Sequence, residues 1–318
     1  MKKEYLILIA VIILAGSYLL LHKENHENYK LPEIEEIDTS KLTGIVLNNP
    51  QGDIKFTKKE KKWVLTDQEF PADSTSVQNM FDHLKTFKLT ALVSQKQDLQ
   101  RYELDEKKQV HVQLLENGRS IFAFAIGKSA PSFNHTFVMI ADDKNIFYAK
   151  GTLRGDFNKS MDEYRDKKVL EFHETAIKKF SIEKNGKSKT FLAEEEKKQE
   201  KTSDIIWKSE DGTSTDNDTA AELLSDISFL NCEKYPDTPG KEDLKDTKPL
   251  CRIQLENKDV MDLILYEDAK HDTLLGISSM NDYVFLLNES KGKKIVENID
   301  RLLGIEKKED AENKKNPV

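Results

Sequence analysis

Val110-His-Val-Gln-Leu-Leu-Glu-Asn-Gly-Arg-Ser-Ile-Phe-Ala-Phe-Ala-Ile-Gly127-Lys, followed by Thr136-Phe-Val-Met-Ile140 and Ile146-Phe-Tyr148, is the stretch on which the fold turns. Short β-branched and aromatic runs alternate there with polar turns at Glu116–Arg119 and Asp142–Asn145. That pattern reads as strand, tight turn, strand, loop and a further hairpin. A similar block returns near the C-terminus as Leu250-Cys-Arg-Ile-Gln-Leu-Glu256, Val260-Met-Asp-Leu-Ile-Leu-Tyr266, Thr273-Leu-Leu-Gly-Ile277 and Tyr283-Val-Phe-Leu-Leu287. The chain carries one module twice.

Working outward, each block is preceded by the same series. In the first copy, Gly44-Ile-Val-Leu47 and Ile54-Lys-Phe-Thr57 flank a turn, and Lys61-Lys-Trp63-Val-Leu65 adds a third strand. Val77, Met80, Phe81, Leu84, Phe87 and Leu89 then recur at helical spacing, with Asp73 or a neighbouring hydroxyl as N-cap. In the second copy, Ile177–Ile182 and Lys189–Ala193 flank Asn185-Gly186, and Ile205-Ile-Trp207-Lys matches the Trp63 strand. Asp216 or Asp218 caps a helix carrying Ala220, Leu223, Leu224, Ile227 and Leu230. Glu194–Ser203 reads as a charged loop insertion, and Gly292–Gly304 as a closing helix. Meandering strands with a helix, lacking strict βαβ alternation, predict antiparallel sheets. The fold class is therefore α+β: an N-terminal transmembrane helix, then two tandem repeated modules of antiparallel sheet with a packed helix. The expected divisions are an anchor at 1–22, a linker at 23–42, modules at 43–158 and 177–305 joined by a connector at 159–176, and a charged tail at 306–318.

The anchor is read from Tyr5 to Leu21, an apolar run without a charge behind Lys2-Lys3. Seventeen helical residues reach about 25 Å, the short end of what spans a bilayer. The two lysines place the N-terminus in the cytoplasm and the body outside. A signal peptide cleaved near Ala15-Gly-Ser17 is the alternative; Tyr18-Leu-Leu-Leu21 extends the apolar run past that point. Both alternatives export the body. Among 318 residues, 37% are hydrophobic and 33% charged, and the formal net charge is −8. An acidic balance argues against nucleic acid as a partner.

Candidate chemistry is sparse. His22 and His26 beside Glu24 and Glu27 have no fixed third ligand and read as a solvated linker. Gly127-Lys128-Ser129 lacks the glycine a phosphate loop needs, position 122 being Phe. His83, His111, His135, His173 and His271 are scattered. Asp142-Asp143 and Asp216-Asn-Asp218 read as turn and capping groups rather than calcium ligands. No catalytic, cofactor or metal residues are assigned. Cys232 and Cys251 are the only cysteines, and export permits a disulfide between them, worth roughly 3 kcal/mol for a loop of that length. Two buried free thiols are the alternative.

Several of these segments resemble one family in order: the basic start and apolar helix, the Trp63 strand, Phe70-Pro-Ala-Asp73, Tyr102-Glu-Leu104, Ala125-Ile-Gly127-Lys, Val138-Met-Ile140 and Tyr164-Arg-Asp-Lys-Lys-Val169-Leu. The combination is similar to the DUF4340 family, bacterial membrane-anchored proteins of unknown function, from Met1 to Gly304. Members usually read Tyr-Gly-Leu where this chain has Glu103. The resemblance implies a single-pass protein of the bacterial cytoplasmic membrane with an external body. It also implies association with ABC-transporter components of the gliding-motility type, and it carries no catalytic residues over. The expected function is that of a membrane-anchored extracytoplasmic accessory or scaffold protein, not an enzyme, with an envelope or transporter protein as partner. The alternative is an extracytoplasmic ligand-binding module with its site between the two repeats.

Overall fold

A computed structural model describes residues 11–18, 29–65, 69–96, 98–141, 143–197, 203–268 and 273–305. The chain divides into two compact units, Met1–Tyr164 and Arg165–Val318.

The first unit is one antiparallel sheet with helices. Its strands are β1 (Gly44–Asn49), β2 (Gly52–Lys59), β3 (Lys62–Leu65), β4 (Phe70–Pro71), β5 (Leu89–Ser94), β6 (Val110–Glu116), β7 (Arg119–Ser129), β8 (His135–Ile140) and β9 (Ile146–Lys150), in the order β4-β3-β2-β1-β6-β7-β8-β9-β5. The helices are α1 (Ser74–Lys85), α2 (Leu99–Tyr102), α3 (Arg154–Phe157) and α4 (Met161–Tyr164). Asp73 starts α1 by accepting the Ser76 amide at 2.6 Å, satisfying a first-turn donor that no carbonyl can reach. Val77, Met80 and Leu84 of α1 join Ile45, Leu47, Phe56, Val112 and Phe124 in the main core. Neighbours of the inward residues point the other way. Ala125, Phe137 and Tyr148 thus form a second small cluster with Leu99, Tyr102 and Leu104.

The second unit holds β10 (Lys168–Glu171), β11 (Lys179–Lys184), β12 (Lys187–Lys197), β13 (Ser203–Ser209), β14 (Phe229–Asn231), β15 (Cys251–Glu256), β16 (Val260–Glu267), β17 (Leu274–Ser278) and β18 (Asn281–Leu287), with α5 (Asn217–Ser228) and α6 (Glu289–Leu303). The main sheet runs β13-β12-β11-β15-β16-β17-β18. That is strand for strand the order β3-β2-β1-β6-β7-β8-β9 of the first unit. In both, a 12-residue helix capped by aspartate, Asp73 or Asp216, follows the tryptophan strand. The copies diverge after that helix. β5 pairs with β9, whereas β14 pairs with β10, and the chain after β14 meets β18 at the isolated Lys234–Leu286 bridge.

Three expectations need correction. The linker is not free over its second half: Ile37 and Leu42 are buried in the first core, and Leu31 and Ile34 pack on it. The connector is no separate piece, since Tyr164 is fully buried in the first core while Val169 and Leu170 belong to the second. The charged insertion begins as strand, because β12 runs through Lys197 and pairs with β13 from Phe191↔Ser209 to Lys197↔Ser203. At the N-terminus, residues 11–18 are helical, with Val11, Ile12, Ile13, Leu14 and Tyr18 exposed. Among the described residues no helix is long and apolar enough to cross a membrane. The rest of Tyr5–Leu21, His22, His26, Asp142, His271 and the tail from Glu306 lie outside the described residues.

Candidate functional site

Among the described residues, polar side chains converge between α5 and α6, where Lys294 meets Glu222 and Asp226, and at two further places beside core aromatic rings. In the first unit, His83 on α1 meets Asp156 on α3, Nε2 to Oδ2 at 2.8 Å. Asp156 also faces Lys159 at 3.8 Å and the Asn79 amide at 3.5 Å, and Lys159 donates to the Ser76 hydroxyl at 3.3 Å. The order is Ser76, Lys159, Asp156, His83. Nucleophilic catalysis needs the base against the hydroxyl and the acid behind the base. Here a lysine and a carboxylate separate Ser76 from His83, so the arrangement is a clamp that holds α3 on α1. Tyr164 completes it by donating to the Asp156 carbonyl at 2.7 Å, and burial pushes its hydroxyl pKa above the ordinary tyrosine range.

In the second unit, the buried Arg165 guanidinium lies over the Tyr235 ring at 3.8 Å and the Tyr283 ring at 4.9 Å. Tyr235 donates to the Asp166 carbonyl at 2.7 Å and accepts from Asn281 at 2.9 Å. Burial raises the Tyr235 pKa, so the phenol stays protonated and serves as a strut rather than a base. Beside it lies a cavity of about 660 Å³, lined by Tyr235, Pro236, Pro239, Leu275 and Leu286 with Asp237 and Asp268 among its polar groups. Tyr235 and Tyr283 carry no local sequence signal, because their partner Arg165 is far from both along the chain.

The other sequence candidates separate. Cys232 and Cys251 are buried free thiols, not a disulfide. Cys251 lies next to the ion pair of Lys184 with Asp300, at 2.7 Å, and burial pushes its thiol up to about 12. Cys232 lies against Tyr235. Asp143 accepts the Asn145 amide as a turn residue, and Asp216 caps α5, its pKa lowered by the Thr219 hydroxyl and amide. Gly127 is a close-packing residue: a Cβ there would stand 2.3 Å from the Tyr102 carbonyl. Two of the motifs quoted for the family resemblance therefore meet in space. Between them stands Glu103, the C-cap of α2, with φ of 56°. Left-handed backbone favours glycine, the residue that the family resemblance leads one to expect at this place.

Two antiparallel sheets of one strand order, each with an aspartate-capped helix after its tryptophan strand, define an α+β protein with a doubled sheet unit. A family model described as a domain of unknown function, DUF4340, matches residues 63–250, and the chain belongs to that family. No curated protein and no solved structure matches the chain.

Proposed function

We propose that this chain is a membrane-anchored extracytoplasmic accessory or scaffold protein of the bacterial envelope, acting through protein contacts in an ABC-transporter-type complex. The observation that carries this reading is the uncharged run Tyr5–Leu21 behind Lys2-Lys3. Its length suits a short single span, with the N-terminus inside. The polar groups gathered in each unit support it, being engaged in clamping elements together. Affinity purification of the tagged full-length chain from membranes, with mass spectrometry of what accompanies it, tests the proposal. Recovery of a permease or another envelope subunit is expected; a clean monomer would overturn the accessory role. Release of the chain by alkaline carbonate washing would overturn the anchor.

A second reading, a ligand-binding module, draws on the cavity beside Tyr235. Its signature would be a rise in melting temperature with an envelope metabolite, lost in Leu275→Trp.

A further inference from the structure

Charge in the first sheet is segregated. Acids are 57 of the 318 residues, yet none occurs at positions 83–97, 117–141 or 144–155. Those segments contain β5, β7, β8 and β9, four strands that lie side by side. Of the acids that bound them, Glu116 and Asp143 sit at the β6–β7 and β8–β9 turns, one end of the sheet. The opposite end is made by the β7–β8 turn, the end of β9 and the start of β5. It carries His135 paired across from Lys150, the Lys88 carbonyl accepting the Lys150 amide, and Lys128 beside the turn. Lys88, Lys128 and Lys150 are all exposed. The two acids nearest this end in sequence are both paired, Asp82 with Lys85 and Asp156 with His83 and Lys159.

At the tip stands Phe133, 76% exposed, with φ of 57°. A phenylalanine in left-handed backbone costs about 1–2 kcal/mol that glycine would not. The turn is held firmly all the same. Ala130 and Phe133 close it through amide bonds to His135 and Ala130 carbonyls, and Gly151 holds the Asn134 carbonyl. A rigid turn thus presents an exposed ring at a strained position, at the end of the sheet that also carries exposed lysines. Strain of this kind persists where the residue has work outside the fold.

We propose that this end of the first sheet docks on an anionic lipid surface, with Phe133 entering the headgroup layer and Lys88, Lys128 and Lys150 facing lipid phosphates. Lysine and a lone aromatic suit a bilayer interface, which asks for charge and one apolar insertion but no shape match. Interfaces between proteins favour arginine and a packed aromatic cluster instead. The inference rests on the anchored reading above. Leu31 is already packed on the first core, so about ten residues join it to Leu21, a reach of at most about 35 Å.

The test uses the full chain carrying Phe133→Trp in vesicles whose lipids bear brominated tails. Trp63 and Trp207 lie within the units, so the wild type supplies their background emission. Expected is loss of most of the added emission in phosphatidylglycerol vesicles. It should be recovered in roughly 0.5 M salt, where screening is nearly complete, and in Lys88→Glu/Lys128→Glu/Lys150→Glu. Unchanged emission, or equal loss in neutral phosphatidylcholine, overturns the proposal. So does a response that appears only when membrane proteins are added, which would mark an acidic protein partner. Flotation of the wild-type chain with neutral vesicles at high salt reads the Tyr5–Leu21 anchor alone, so the two readings fail separately. Phe133→Gly, which the backbone favours, should stay folded and lose the docking of an otherwise wild-type chain, read as protease access to the 130–134 turn in anionic vesicles.

Discussion

Single residues carry the sharpest tests. Glu103 sits in left-handed backbone, with Arg154 3.8 Å away as a half-exposed ion pair. Glu103→Gly should raise stability by up to about 1 kcal/mol, since relief at the backbone exceeds the loss of such a pair; urea unfolding measures it. Gly127→Ala should do the opposite, costing roughly 1–3 kcal/mol, because the Tyr102 carbonyl is backbone and has little room to retreat. Lys184 is buried against Asp300, so Asp300→Ala leaves a buried ammonium unpaired and should cost about 3 kcal/mol. Thiol titration separates the two cysteine readings: two equivalents react on unfolding without reductant, and Cys251 reacts slowly in the folded chain, being buried and pushed up to about 12. Neither cysteine's burial was legible from spacing, which gives a loop length and no direction for the side chains.

Elements were read more easily than their ends. The helix after each tryptophan strand follows from apolar spacing alone, and its start from aspartate chemistry. Where α1 stops was hidden, because Phe87 and Leu89 continue the apolar count after Lys85 while the backbone turns into β5. The charged run from Glu194 reads as a loop because propensity speaks against strand there; hydrogen bonding to β13 overrides it. The two polar clamps could not be foreseen, since they join residues that only the finished sheets bring together. Asp216→Ala should cost about 1 kcal/mol as a lost cap. The pH dependence follows the same groups. The Ser209 and Thr213 hydroxyls hold Asp211 down to about 2, and the Thr219 hydroxyl lowers Asp216. Both pKa values are depressed in the folded chain, so their contribution is complete above the ordinary carboxylate range near 4 and disappears as pH falls toward 2. Acid melts of Asp211→Asn and Asp216→Asn should therefore converge on the wild type below that window.

For the whole molecule, the strand order shared by both sheets was implied by the repeat in the sequence, whereas the divide at Tyr164–Arg165 was not. A motif that reads as one unit, Tyr164-Arg-Asp-Lys-Lys-Val169, sends its first residue into one core and its second onto the rings of the other. The outer strands of the sheets also differ in how they end. β4 lies along β3, whereas among the described residues no strand pairs with the outer side of β13. Instead, the amides of Trp207 and Ser209 are taken by the side chains of Asn217 and Thr215. Two small side chains thus do what a strand does in the other copy, and Asn217 also opens α5. Cross-seeding between molecules is what such a sheath prevents, so the first symptom of Asn217→Ala should be fibres, appearing well before any loss of fold.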